Sequence, residues 1–206
     1  RLLAAYRRLI GPGQVVWDIG ANIGAHTLHF ARLAGDTGRV FAFEPTEFAF
    51  AKLQANLRLN PLLQGRVHLE NVFLVDHDAD SAPPTVFASW PVGRPDHPVD
   101  PEHLGRPMEL TTPRAATGDA IAAAHGLDRL DFVKLDVDGH ELAVLQGMSG
   151  TLRRFHPNLM MEIAPFVLHT HMKDGFGWRE TYRGQALGEG EINLKKAVAE
   201  AKKAGY

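Results

Sequence analysis

The chain has no cysteine among its 206 residues, which excludes disulfide scaffolds, Cys-ligated zinc, iron–sulfur clusters and thiol nucleophiles. It also has no strong charge of one sign. Lys and Arg number 22 against 24 Asp and Glu, a formal net charge of −2. No basic field therefore gathers nucleic acid or an anionic membrane, and neither is expected as a partner. No apolar run approaches the roughly 18 residues that a membrane span needs, and a cytoplasmic location is the expectation. Internal repeats are absent too. What is present is ordinary for a folded chain, with 45% hydrophobic and 22% charged residues. The length suits one domain over 1–206 with a sizeable core. The opening at Arg1 and the stop at Tyr206 read as cuts in a longer protein.

Short apolar runs alternate with stretches of helical spacing. Residues 14–19 (QVVWDI), 39–43 (RVFAF), 66–74 (RVHLENVFL), 132–135 and 159–163 (LMMEI) read as strands. Residues 24–34, 47–59, 119–125, 141–146 and 192–203 read as helices, the second stopped by Asn60-Pro61. Lysines 195, 196, 202 and 203 give the last of these a solvated face. Strands that alternate with helices need crossover connections and form a mostly parallel sheet with helices on both faces. The fold class is α/β. One stretch departs from the pattern: eight of the thirteen prolines lie between Pro83 and Pro113. That density prevents a helix or a central strand. Residues 76–112 therefore read as an insertion with short edge strands near 85–90 and 108–112.

Asp18-Ile19-Gly20-Ala21-Asn22-Ile23-Gly24 joins the first strand to the first helix. Glycine there lets the backbone turn sharply and approach a ligand closely. Twenty-four residues after Gly20, Glu44 ends the second strand, where a carboxylate can accept hydrogen bonds from both hydroxyls of a ribose. A nicotinamide dinucleotide prefers G-x-G-x-x-G, but Asn22 and Ala25 stand at the second and third glycine places. S-adenosylmethionine carries no phosphate, tolerates a side chain there, and brings an ammonium that Asp18 can pair with. The candidate cofactor residues are Asp18, Gly20, Asn22, Gly24, Glu44 and Asp136. Asn71, at the end of the third strand, is a candidate for the adenine edge, or else a strand-end turn residue. Trp17 and Phe43 read as core, and His26 and His29 as packing or surface positions.

DIGANIGAHT, FEPTEFAFAKLQANLRLN, DFVKLDVDGHELAVLQGM and NLMMEI together resemble the FkbM family of S-adenosylmethionine-dependent methyltransferases, from about Val15 to Glu162. Asp138 stands where that family usually has Glu, and His140 where it usually has an aromatic residue. The resemblance implies a class I methyltransferase (Rossmann-like) fold, a seven-stranded sheet with an antiparallel last strand. It also implies methyl transfer to a hydroxyl oxygen of a sugar- or polyketide-like small molecule, with S-adenosylhomocysteine as product. An oxidoreductase on the same fold and a non-catalytic cofactor-binding module are the alternatives.

A hydroxyl acceptor must lose a proton, so a base within hydrogen-bond reach is useful. Asp136, Asp138 and His140 follow the fourth strand of the alternating pattern, at the sheet end where ligands sit. They are the candidate catalytic residues: Asp136 to position cofactor or acceptor, His140 as base. Helix capping is the competing role for Asp138 and His140. Glu162, Trp90 and His169 are candidates on the acceptor side. Asp136, Asp138 and Glu162, joined by His169 and His171, also offer donors to a divalent ion. Nothing in the spacing demands one, and no metal is expected.

Overall fold

The computed structural model describes residues 2–77, 83, 85–88, 106–110, 114–161, 175–176 and 183–184. Helix α1 (Leu2–Leu9) leads into β1 (Val15–Ile19), which is buried along its whole length. Helix α2 (Ala25–Ala34), β2 (Arg39–Phe43), α3 (Glu47–Arg58), the one-turn α4 (Pro61–Gln64) and β3 (Val67–Glu70) follow. The expected single strand over 66–74 is in fact two. The chain breaks at Asn71-Val72, and β4 (Phe73–Val75) leaves the main sheet to pair in parallel with β7 (Ala115–Thr117). Between them, β5 (Thr85–Ala88) pairs antiparallel with β6 (Arg106–Glu109), so the proline-rich insertion carries two short strands. The remainder is α5 (Gly118–Ala124), β8 (Phe132–Leu135), α6 (Glu141–Gly147), α7 (Ser149–Phe155) and β9 (Asn158–Met161). The two-residue strands β10 (Gly175–Phe176) and β11 (Arg183–Gly184) pair with each other. The expected helix over 192–203 lies outside the described residues.

The main sheet has the order β3-β2-β1-β8-β9, and every pairing in it is parallel. Strand order therefore reverses between β1 and β8. In open α/β sheets the crevice outside the carboxyl ends at such a reversal is where ligands bind. The family-implied antiparallel end of the sheet lies outside the described residues.

Strand alternation divides the core into two layers. Trp17, Ile19, Phe41, Phe43, Val133 and Leu135 point to the face covered by α5, α6 and α7, through Ile121, Val144, Met148 and Leu152. Val16, Val40, Ala42 and Phe132 point to the opposite face, against Tyr6 of α1, Phe30 and Ala31 of α2 and Leu53 of α3. Trp17 and Phe43 are core residues, at 0% and 1% exposure. Helix α7 has no sequence signal at its start because its cap is not local. The Asp119 carboxylate, on α5, accepts hydrogen bonds from the N–H groups of Gly150 (2.9 Å) and Thr151 (2.6 Å). No described helix is long and apolar enough to cross a membrane.

Candidate cofactor and acceptor site

The loop after β1 is built from the sheet outward. The Gly20 and Ala21 amides donate to the Phe43 carbonyl (3.1 and 2.9 Å), and the Asp136 amide donates to the Ile19 carbonyl (3.1 Å). Gly20 has φ +76°, and a Cβ built on it would stand 1.7 Å from the Asp136 carbonyl oxygen. Only glycine lets the tips of β1 and β8 approach this closely. Asn22 adopts a left-handed φ of 50°, which asparagine tolerates better than most residues. Its amide donates to Glu44 Oε2 (2.9 Å), and the Gly24 amide closes the loop onto the Ala21 carbonyl (2.9 Å).

Glu44 is 6% exposed at the tip of β2. Its Oε1 accepts from the Thr46 amide (2.9 Å) and the Thr46 hydroxyl (2.5 Å). Burial pushes its pKa up, and the Thr46 and Asn22 hydrogen bonds oppose that. A carboxylate offers about four acceptor positions, and three are filled. One ribose hydroxyl fits without rearrangement; the expected second needs a shared bond. Asn71 sits beside this tip, but its side-chain amide donates to the carbonyls of Glu44 (2.8 Å) and Pro45 (3.2 Å). The strand-end turn role is the one its NH2 group performs, so that group is not presented to an adenine edge.

Asp18 also departs from expectation. Its carboxylate is fully buried rather than presented to an ammonium of a ligand. The Thr27 hydroxyl, on α2, donates to Oδ2 (2.6 Å), and Oδ1 lies 3.6 Å from Lys134 Nζ. Burial raises the Asp18 pKa, with Lys134 and Thr27 pulling it back. Lys134 was not foreseen. It is 5% exposed within β8, directly across from Asp18 in the strand register. Its ammonium donates to the Gly20 carbonyl (3.1 Å) and lies 3.2 Å from Asp136 Oδ2. The available signal was a lysine inside an otherwise apolar strand, since a buried charge needs partners. His26, on the first turn of α2, faces the same group and shares a hydrogen bond with the Tyr6 hydroxyl (3.2 Å). Burial and Lys134 lower its pKa, against Asp18 and Asp136.

The loop after β8 carries the remaining expected catalytic residues. Asp138 has a left-handed φ of 50°. The buried Glu141 holds the loop, its Oε1 accepting from the Val137 and Gly139 amides (both 3.2 Å). His140 occupies the cap position of α6, yet its side chain makes no capping bond. Its ring instead packs edge-on against Phe73 of β4, with centroids 4.8 Å apart. Burial lowers its pKa, opposed by Glu141 and Asp76. Phe73 in turn packs with Leu110, Val86 of β5, Val75 and Ala115, which anchors the insertion beside His140. Glu162, Trp90 and His169 lie outside the described residues, as does His171. Among the described residues no group of three or more His, Asp or Glu side chains gathers as a metal site. The cation beside Asp136 is Lys134.

The parallel order β3-β2-β1-β8-β9, with its reversal beside a glycine loop and a carboxylate at the tip of β2, is the doubly wound Rossmann-like arrangement that class I methyltransferases share. The chain belongs to the methyltransferase FkbM domain family, whose profile matches residues 18–183. Hexuronic acid methyltransferase AglP of Haloferax volcanii is 32% identical over 139 residues, covering 68% of this chain and 52% of that protein. Methyltransferase sdnD of Sordaria araneosa is 27% identical over 155 residues, covering 64% and 59%. The chain thus spans a little over half the length of these relatives. The crystal structure of the [4+2]-cyclase SpnF superposes on all of this chain and 57% of its own, with TM-score 0.50 and 12% identity. That likeness is one of fold alone. Family membership makes S-adenosylmethionine the cofactor against which the loop is tested, and the loop fits it. The amides of Gly20, Ala21, Asn22 and Gly24 all donate inside the protein, so these four are not turned toward a pyrophosphate.

Proposed function

We propose that the chain transfers a methyl group from S-adenosylmethionine to a hydroxyl oxygen of a small sugar- or polyketide-like acceptor. The observation that carries the cofactor half is the loop in which the Gly20, Ala21, Asn22 and Gly24 amides are spent internally while Glu44 keeps an open acceptor position at the tip of β2. When bound, the cofactor supplies an electrophilic methyl on a sulfonium. Gly20 to Gly24 shape the cradle, Glu44 holds a ribose hydroxyl, and Asp136 orients what lies at the tip of β8. Alignment and exclusion of water do most of the work in such a displacement.

On the acceptor side, His140 receives the proton of the attacking hydroxyl. Its lowered pKa keeps the imidazole neutral near pH 7 and ready to accept. Phe73 and the residues of the insertion packed on it line that side. The relative named for a hexuronic acid makes uronic acids and their glycosides the first acceptors to screen.

Two measurements test the reading. Titration calorimetry with S-adenosylhomocysteine is expected to give binding that Glu44→Ala weakens at least tenfold; equal affinity removes Glu44 from the site. Mass spectrometry across a hydroxyl library, with and without EDTA, is expected to find an acceptor that gains one methyl group. Cofactor binding with no methylated product from any acceptor would favour the non-catalytic module.

A further inference from the structure

A lysine in the middle of a five-stranded sheet has few ways to be satisfied, and Lys134 uses all of them. An ammonium has three donors. Three oxygens surround it: the Gly20 carbonyl at 3.1 Å, Asp136 Oδ2 at 3.2 Å and Asp18 Oδ1 at 3.6 Å. Asp18 faces this ammonium from the neighbouring strand: Thr27 donates to its Oδ2, and its Oδ1 is turned to Lys134 with no hydrogen-bond partner of its own. Lys134 therefore ties the cofactor loop to the tips of β1 and β8. It also places a positive charge inside a group of carboxylates that includes Asp18, Asp136 and, within electrostatic reach of Asp18, Glu44.

The charge matters because methyl transfer changes the charge of the ligand. S-adenosylmethionine carries a sulfonium, whereas S-adenosylhomocysteine has a neutral thioether in its place. A site lined only by carboxylates would hold the sulfonium strongly in the ground state, which does not speed the reaction. We propose that Lys134 is the internal counter-cation of this site, and that it sets how strongly the site prefers the sulfonium form of the cofactor over the thioether form. The proposal rests on the cofactor reading above and goes beyond it. A purely structural tie would change the affinity for both ligands alike; a charge-setting residue changes their ratio.

The test is calorimetric binding of both ligands to the full chain at pH 8, where His26 on α2 is neutral. Lys134→Met is expected to shift the affinity ratio toward S-adenosylmethionine on the order of tenfold, the size of one unit charge acting over several ångströms in a partly polar site. Asp18→Asn removes a negative charge without changing shape and is expected to shift the ratio several-fold in the opposite direction. The Asp18→Asn/Lys134→Met pair returns it close to the wild-type value, and Lys134→Arg, which keeps the charge, leaves it in place. If Lys134→Met does not fold, Asp18→Asn alone decides. An unchanged ratio in Asp18→Asn, or in a folded Lys134→Met, overturns the proposal and leaves the cofactor reading standing. If neither ligand binds the wild-type chain, the cofactor reading fails and takes this proposal with it.

Discussion

The two sides of the crevice are built differently. On the side of β1, β2 and α2, almost every polar group is engaged by the protein itself: Glu44 by Thr46 and Asn22, Asp18 by Thr27 and Lys134, and the loop amides by Phe43 and Ala21. On the side of β4 and α6, His140 is exposed and uncapped, and touches Phe73 rather than a polar partner. A cofactor of constant shape suits a site finished before it arrives, because the ordering cost has already been met in folding. The acceptor proposed above would meet a side whose walls include Val86 and Leu110 of the insertion. Each side is nevertheless pinned by one glycine. Gly20 lies against the Asp136 carbonyl, and Gly147, at the end of α6, would place a Cβ 1.8 Å from the Val75 carbonyl at the end of β4.

Those two glycines give the sharpest way to separate the sides. Gly20→Ala must overcome a left-handed backbone, about 1–2 kcal/mol, and a collision with backbone rather than with a flexible side chain, about 1–3 kcal/mol more. The expected result is a large drop in melting temperature and loss of S-adenosylhomocysteine binding by calorimetry. Gly147→Ala meets a similar collision without the left-handed penalty, since its position is helical. It is expected to push β4 away from α6, destabilise by about 1–3 kcal/mol, and leave S-adenosylhomocysteine affinity within about threefold. Methyl transfer should suffer far more than binding. If Gly147→Ala weakened cofactor binding as much as Gly20→Ala, the crevice would be one cooperative unit and the division drawn here would fail.

The same division explains what could be read from the residues alone. The strand tips were legible because their signals are local: DIGANIG sits between a β-branched strand and a helix, and Glu44 follows at fixed spacing. Strands β2 and β8 also fall where apolar runs place them. What was missed depends on residues far apart in the chain. Helix α7 takes its cap from Asp119. The break between β3 and β4 depends on Asn71 turning back to the Glu44 and Pro45 carbonyls, and β4 finds its partner 42 residues later, Phe73 against Ala115. The inward setting of Asp18 was hidden for the same reason, because its neighbour Lys134 lies across the sheet. Apolar pattern reports burial; it does not report which polar group will share the buried space.

His140 tests the acceptor side directly. His140→Ala is expected to lower kcat by about 10²–10⁴-fold, the usual contribution of a positioned base, with S-adenosylhomocysteine affinity unchanged within about twofold. Because the pKa of His140 is lowered, kcat/KM of the wild-type chain should fall on acidification only below the ordinary histidine value of about 6.5. That acid limb should vanish in the variant. A variant with wild-type turnover would reduce His140 to a packing partner of Phe73.

The smallest effect concerns stability, and it ranks the two sides by how dry they are. His26, His29, His68 and His140 all have pKa values lowered first by burial. For a base whose folded pKa lies below its unfolded one, the unfolded chain binds more protons between the two values. Stability is therefore fully present above about pH 6.5 and is lost as pH falls toward each folded-state pKa. All four rings keep some contact with solvent, which screens the effect, so their share of the loss between about pH 7.5 and 5.5 should be a small downward shift in Tm. His26 lies against α1 beside Lys134, whereas His140 is exposed. A proton on His26 thus meets a nearby buried cation and less water. His26→Gln should flatten the dependence of Tm on pH more than His140→Gln does; the reverse order, by differential scanning calorimetry, would make the acceptor side the drier of the two.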